Sequence, residues 1–194
     1  MKTLAVLIFL SSSCLADAGF NNTSGQGVTT SNISMNIKYQ SCTVTIDGQG
    51  NSAHISLPDV PASSLDAKDK TAGDTPFSIT VSGCVNGHTA YTGTPVMNAS
   101  VYFETQNSVD VKTKMLVNMD TSNSKATNVE LEVIDNNSKN PIQPGGTTGN
   151  TTLPVLVTGA ASSARFDYTA RYHALGTVTA GAVSSTLVFS INYS

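Results

Sequence analysis

The apolar residues of this chain fall on alternate positions, and no window follows a helical repeat long enough for a helix. The closing stretch, AGAVSSTLVFSINYS, shows the pattern most clearly. From Gly181 the odd positions are Gly181, Val183, Ser185, Leu187, Phe189, Ile191 and Tyr193. The even positions include Ser184, Thr186, Ser190 and Asn192, with Val188 the only large apolar residue. Successive side chains of a strand point to opposite faces, so Leu187, Phe189, Ile191 and Tyr193 line one face. A terminal strand this apolar is an aggregation hazard unless a partner covers its edge.

The rest of the chain repeats the theme. Ile33, Met35, Ile37 and Tyr39 alternate, and Val44 and Ile46 then take the other parity. Such a change of face predicts a bulge or a strand that switches sheets. AHISLPDV reads as a short strand stopped by Pro58, and PASSLDAKDKTAGD as a loop with room for one helical turn. Phe77, Ile79 and Val81 mark a strand ending near Cys84. Further strands are predicted at Val96–Phe103, Met115–Met119, Asn128–Ile134, Leu153–Val157 and Ala164–Tyr172, with turn-rich pieces between them, notably Asp135–Asn150. About nine short strands at regular spacing predict one all-β sandwich.

Composition narrows this picture. At 194 residues the chain fits one domain. Only 12% of residues are charged and the formal net charge is −3, which argues against a nucleic-acid surface. The N-terminus, MKTLAVLIFLSSSCLADAG, carries an early Lys, an apolar run from Leu4 to Leu10 and a small-residue site at Ala16-Asp17-Ala18. That is a secretory signal, with the mature chain starting at Gly19. The rival reading, a lipid anchor at Cys14, lacks the Leu such sites usually carry, since Ser11, Ser12 and Ser13 precede the cysteine. Removing the signal leaves Cys42 and Cys84. In an oxidising compartment the pair is expected to form one disulfide, with two buried thiols as the alternative. The closed loop would stabilise by roughly 4 kcal/mol in the chain-entropy picture.

Chemistry is sparse. His54, His88 and His173 are isolated, and none stands at metal-ligand spacing with another His, Cys or carboxylate. A solvated or turn role is expected for each. No G-x-S-x-G elbow nominates a nucleophile, and PGGTTGN lacks the Lys of a phosphate loop. Sequons at Asn22, Asn32, Asn98, Asn136 and Asn150 are what a chain rich in Asn, Ser and Thr contains by chance. Neither enzyme activity nor any cofactor or metal is expected.

Five local features resemble the subunits of bacterial chaperone–usher pili, the type 1 fimbrial pilin family. They are a signal followed by a polar arm and then a first cysteine in YQSCTVTI; the run AGDTPFSITVSGC, with Gly73, Phe77 and Gly83; ATNVELEVIDNN; FDYTARYHALGTVTAGAVSS; and the terminus, with penultimate Tyr193 and Gly181 fourteenth from the end. The resemblance covers essentially the whole mature chain. It implies an immunoglobulin-like sandwich lacking its last strand, completed by donor-strand complementation. The organisation it implies is a signal at 1–18, a donor arm at 19–32 and a pilin domain at 33–194.

The resemblance also implies the partners. A periplasmic chaperone, an outer-membrane usher and neighbouring subunits would handle the chain on its way through the periplasm to a surface fimbria. Gly181, Leu187, Phe189, Ile191 and Tyr193 would floor the groove and pair with the chaperone, whose basic cleft would take the Ser194 carboxylate. Cys42 and Cys84 would bridge neighbouring strands. In the arm, Phe20, Gly25, Gly27 and Val28 are the donor candidates, a lighter apolar load than donor arms of this family usually carry. Ile33–Tyr39 is assigned to the domain's own first strand. The function implied is a structural fimbrial subunit supporting adhesion. The alternative is a single-domain adhesive minor subunit, with Asp135–Asn150 or VNGHTAYTG as its binding surface.

Overall fold

Long runs of alternating residues become strands where at least one edge finds a partner. The computed structural model describes residues 27–29, 42–83, 96–146, 152–156 and 163–193. Within them the strands are β1 (Gly27–Thr29), β2 (Thr43–Ile46), β3 (Val60–Pro61), β4 (Thr71–Ser82), β5 (Val96–Phe103), β6 (Leu116–Val117), β7 (Val129–Asp135), β8 (Thr152–Leu156), β9 (Ser163–Ala174), β10 (Gly181–Ala182) and β11 (Phe189–Tyr193). One 3-10 turn at Ala62–Leu65 occupies the loop expected to hold a helical turn.

One sheet has the order β2-β4-β9-β7-β6 and a second the order β11-β5-β8. Their ladders are antiparallel throughout. β9 holds the centre of the five-stranded sheet, paired with β4 on one edge and β7 on the other, and its even residues Phe166, Tyr168, Ala170 and Tyr172 are buried against the opposing sheet. Aromatic rings join the two sheets. Phe103 of β5 meets Tyr168 of β9 edge-on at 5.3 Å, Tyr168 stacks on Phe77 at 5.4 Å, and Phe189 of β11 lies 6.3 Å from Phe103. Such pairs contribute about 0.5–1.5 kcal/mol each beyond the area they bury. The core is therefore the space between two face-to-face sheets, as in an immunoglobulin-like sandwich.

Gly73 marks the one irregularity in the β4–β9 ladder, where the register shifts between Ala72 and Thr75. Its φ of +75° suits glycine, and a Cβ there would stand 2.8 Å from the Tyr172 ring, so the ring covers bare backbone. Burial, with Asp59 adding to it, pushes the Tyr172 phenol up to about 12. It stays neutral in the core.

Two expectations need correction. AHISLPDV was expected to form a strand, but Ala53–Asp59 joins no ladder and only Val60–Pro61 pairs. The alternation itself holds: Ala53, Ile55 and Leu57 are buried, and His54, Ser56 and Pro58 are exposed. The segment is extended with its inner face on the core, but no described strand lies alongside to hydrogen-bond it. The second correction concerns His173, which is neither solvated nor in a turn. It sits in β9 opposite Glu130, with Arg171 opposite Glu132. Arg171 binds the Glu132 carboxylate at 2.7 Å, and the His173 imidazole lies 3.7 Å from the same oxygen and 3.4 Å from Asp69. These cross-strand pairs let β7 bury Glu130 and Glu132 on the side away from the core. Burial raises the Glu130 carboxyl above the usual carboxylate range, and the Thr113 hydroxyl, donating at 2.6 Å, opposes that rise. His54 is exposed, and His88 lies outside the described residues.

Candidate functional site: a slot beside the last strand

Beyond Ala182 the terminal run, Val183 to Tyr193, is held along one edge only among the described residues. Ala182 donates to the Ser124 carbonyl and accepts from Ala126, the Ser184 carbonyl accepts from Met119, and the Val188 carbonyl accepts from Glu104. Beyond Val188 the run becomes β11 and pairs β5, in a register that sets Ser190 opposite Tyr102 and Asn192 opposite Ser100. Even-numbered residues thus turn their backbone groups toward this edge. Peptide groups of an antiparallel ladder alternate between edges, so odd-numbered residues present theirs to the other side. No described strand pairs with that other edge from Val183 to Tyr193.

The same odd residues send their side chains into the core. Val183, Leu187 and Phe189 are 0% exposed and Ile191 2%. Ser185 is the polar member of the set, and its hydroxyl is buried with no hydrogen-bond partner among the described residues. The strand therefore has a fully used face and an edge with no partner among the described residues. Along Gly176–Ser194 there is no charged residue, and along Gly19–Ile37 there is none either. A strand laid on this edge desolvates no ionised side chain.

A second bank faces it. β1 pairs in parallel with β10, Val28 opposite Gly181 and Thr29 opposite Ala182. It also pairs antiparallel with β3, Gly27 opposite Pro61 and Val28 opposite Val60. One strand thus spans the gap between β3 and β10, which fixes the separation of the banks at two strand spacings, about 9.6 Å. Because β3 runs against β10, Ala53–Asp59 and Val183–Val188 leave this small sheet in the same direction. Both are extended, both bury alternate side chains, and neither has a ladder partner among the described residues. The slot is one strand wide and lies between them.

Two residues set the position of the strand's first turn into the slot. Asn118 is buried, and all four hydrogen-bonding capacities of its amide are used. Its Nδ2 donates to the carbonyls of Ala126 and Ala182 at 3.0 and 2.9 Å, and its Oδ1 accepts from Asp120 and Ser184 at 3.0 and 3.1 Å. Gly181 approaches the 124–126 backbone so closely that a Cβ would fall on the Ser124 carbonyl oxygen and 2.6 Å from the Ala126 nitrogen. Asn118→Leu keeps the volume and removes the clamp, leaving buried backbone groups short of partners. We expect a loss of about 2–4 kcal/mol, since each orphaned group costs about 1–3 kcal/mol. Gly181→Ala is expected to dislodge β10 through the clash alone. Denaturant midpoints check both; midpoints equal to the parent's would show that neither residue holds the strand.

The sequence-nominated residues divide as follows. Gly181 lies in β10, Phe189 and Ile191 in β11, and Leu187 on the run between them. Tyr193 closes β11 opposite Ala99. Gly27 and Val28 are in β1, directly against Gly181, Val60 and Pro61. Cys42 is disulfide-bonded, and Thr43 pairs Ser82, which sets residue 42 level with Gly83. Cys84, Phe20, Gly25 and Ser194 lie outside the described residues, as do Ile33–Tyr39, all of VNGHTAYTG and the end of Asp135–Asn150. Sequence reasoning missed the second bank and Asn118. AHISLPDV carried the signal for the bank, but one Asn among many carries none for a clamp. Among the described residues no group of three or more His, Cys, Asp or Glu could hold a metal.

A family model described as Fimbrial protein matches residues 31–194. The chain is 32% identical over 156 residues to the major fimbrial subunit SMF-1 of Stenotrophomonas maltophilia, covering 79% of this chain and 85% of that one. It is 33% identical over 154 residues to the F17 fimbrial protein of Escherichia coli, covering 79% and 81%. In three dimensions it is similar to the P pilus rod subunit PapA, with a TM-score of 0.53 at 15% identity, over 80% of this chain and 100% of that one. At that identity the likeness speaks for the fold.

Proposed function

The chain belongs to the fimbrial protein family and is a structural subunit of a surface fimbria; from that premise we propose that its slot receives the arm of a neighbouring subunit. The observation that carries the reading is the last strand itself, whose side chains complete the core while its outer edge has no partner among the described residues. A strand entering between Ala53–Pro61 and Gly181–Tyr193 would hydrogen-bond both banks at once, which is β-strand addition with the partner enclosed on two sides. The arm that enters is residues 19–32 of another copy or of a related subunit. The family match begins at residue 31, which leaves all but the last two residues of the arm outside the matched domain. Head-to-tail insertion does not close on itself, so it builds an open fibre.

Before assembly the same edge is occupied by a strand of a periplasmic chaperone, with Leu187, Phe189, Ile191 and Tyr193 beneath it and the Ser194 carboxylate as its end anchor. An outer-membrane usher then exchanges chaperone for arm. Residues 1–18 direct export, and Cys42 pairs with Cys84 in the oxidising periplasm, tying β2 to the end of β4. Catalysis has no part in this reading. Immunogold labelling of intact fibres tests it. Label along the fibre length is the expected result. Label confined to fibre tips, with saturable glycan binding by the isolated subunit, would replace it with the adhesive minor-subunit reading.

A further inference from the structure

We propose that Glu130 and the loop Asp110–Lys114 form a brace on the outer face of the five-stranded sheet, one that tightens when the subunit is acidified. The inference is independent of what fills the slot. Asp110–Lys114 is the tip of the hairpin that leads into β6, closed by Val109 opposite Leu116 and by Lys114 donating to the Asp110 carbonyl at 2.9 Å. One threonine ties this loop to β7. The Thr113 amide donates to Asp110 Oδ1 at 3.0 Å, and its hydroxyl donates to Glu130 Oε2 at 2.6 Å. A carboxyl of the loop and a carboxyl of the sheet therefore stand on either side of a single residue.

The cations nearby are engaged elsewhere. On β9, Arg171 binds Glu132 at 2.7 Å and reaches Asp74 at 3.8 Å. His173, although directly opposite Glu130, lies 3.4 Å from Asp69 and 3.7 Å from Glu132. On β6 the residue opposite Glu130 is the neutral Val117, and Lys112 and Lys114 of the loop are exposed. Glu130 is thus buried with no ion pair of its own among the described residues. The two carboxyls that share Thr113 are held in opposite states. The Thr113 and Lys112 amides, donating to Asp110, hold its carboxyl below the usual carboxylate range. Burial, with the Asp110 charge adding to it, pushes Glu130 the other way, against the Thr113 hydroxyl and His173. The proton therefore goes to Glu130. A carboxyl raised in the folded chain contributes stability that is full below its unfolded value and is lost as pH rises through its folded one. Protonation removes both the cost of the buried charge and the repulsion from Asp110, and it leaves an oxygen for Thr113. Acidification strengthens this contact, whereas it weakens an ordinary paired carboxylate. β6 runs straight into Asn118, so the brace steadies the strand that carries the slot's clamp.

The test compares the full mature chain with its Glu130→Gln variant, which keeps the shape and the acceptor for Thr113 but never carries the charge. Denaturant midpoints of both are measured in steps from about pH 7.5 down to about pH 4, which spans the ordinary carboxylate range and the region above it. The expected result is a higher midpoint for the variant at the upper end, with the difference closing as the pH falls and Glu130 becomes neutral in the parent. A difference that stays constant across the range, is absent throughout or grows on acidification would overturn the brace. Carbon-13 NMR titration of the Glu130 carboxyl in the parent chain carries the same test should the variant fold poorly. Titration above the ordinary glutamate range is expected there, and titration within or below it would overturn the proposal.

Discussion

Replacing Phe189 with Asp leaves no stable folded subunit. The ring is 0% exposed and sits 6.3 Å from Phe103, which in turn stands edge-on to Tyr168 at the junction of the two sheets. Losing a buried aromatic costs about 3–5 kcal/mol. A carboxylate in its place adds a desolvation penalty of several kcal/mol, or must take up a proton to avoid it. Together these approach the whole net stability of a typical domain, about 5–15 kcal/mol. The conservative Phe189→Leu keeps the site apolar and is expected to cost about 1.5 kcal/mol or less once repacked. Periplasmic subunit levels by immunoblot, with circular dichroism on whatever can be purified, separate the two. Undiminished levels of the Asp variant would mean that Phe189 is not part of the shared core beneath the slot.

Deleting Gly19–Thr30 abolishes fibres while leaving a subunit that a chaperone still holds. The deletion removes β1 and the segment before it, and spares β2 through β11, including both banks of the slot. Such a subunit can receive an arm but has none to give. In a head-to-tail chain it could stand only at one end, so a strain making only this form should show no fibres by electron microscopy. In a strain that also makes the parent, fibre length should fall with the share of the deleted form. Normal fibres from the deletion alone would place the assembly contact elsewhere.

The alternating pattern carries most of the fold because a strand's period of two shows directly in sequence wherever one face is buried. β5 and β9 lie within two residues of where the apolar positions put them, and β4 contains Phe77, Ile79 and Val81 but starts earlier, at Thr71. β7 was placed within a residue too, yet its Glu130 and Glu132 are buried on the face that alternation assigns to solvent. Only the register against Arg171 and His173 explains that, and register is a non-local property. Ala53–Leu57 shows the converse. Its side-chain pattern is that of a strand, but pairing depends on what lies beside it, which no local pattern specifies. The terminal run was legible as an apolar strand, and its split into β10 and β11 was not. That split reflects where β1 and β5 supply partners. The arm's contact with Gly181 was hidden for the same reason, since residues 28 and 181 meet only through topology.

The most direct test is amide hydrogen exchange along Gly181–Tyr193, residue by residue, in the monomer and in the assembled fibre. Ser190 and Asn192 face β5 and should be protected in both states. Ser185, Leu187, Phe189 and Ile191 face the open edge, and their exchange should slow at least a hundredfold on assembly, when a neighbour's arm takes up their N–H groups. Equal protection of odd and even residues in the monomer, unchanged in the fibre, would mean that the sandwich is already complete and that subunits are joined some other way.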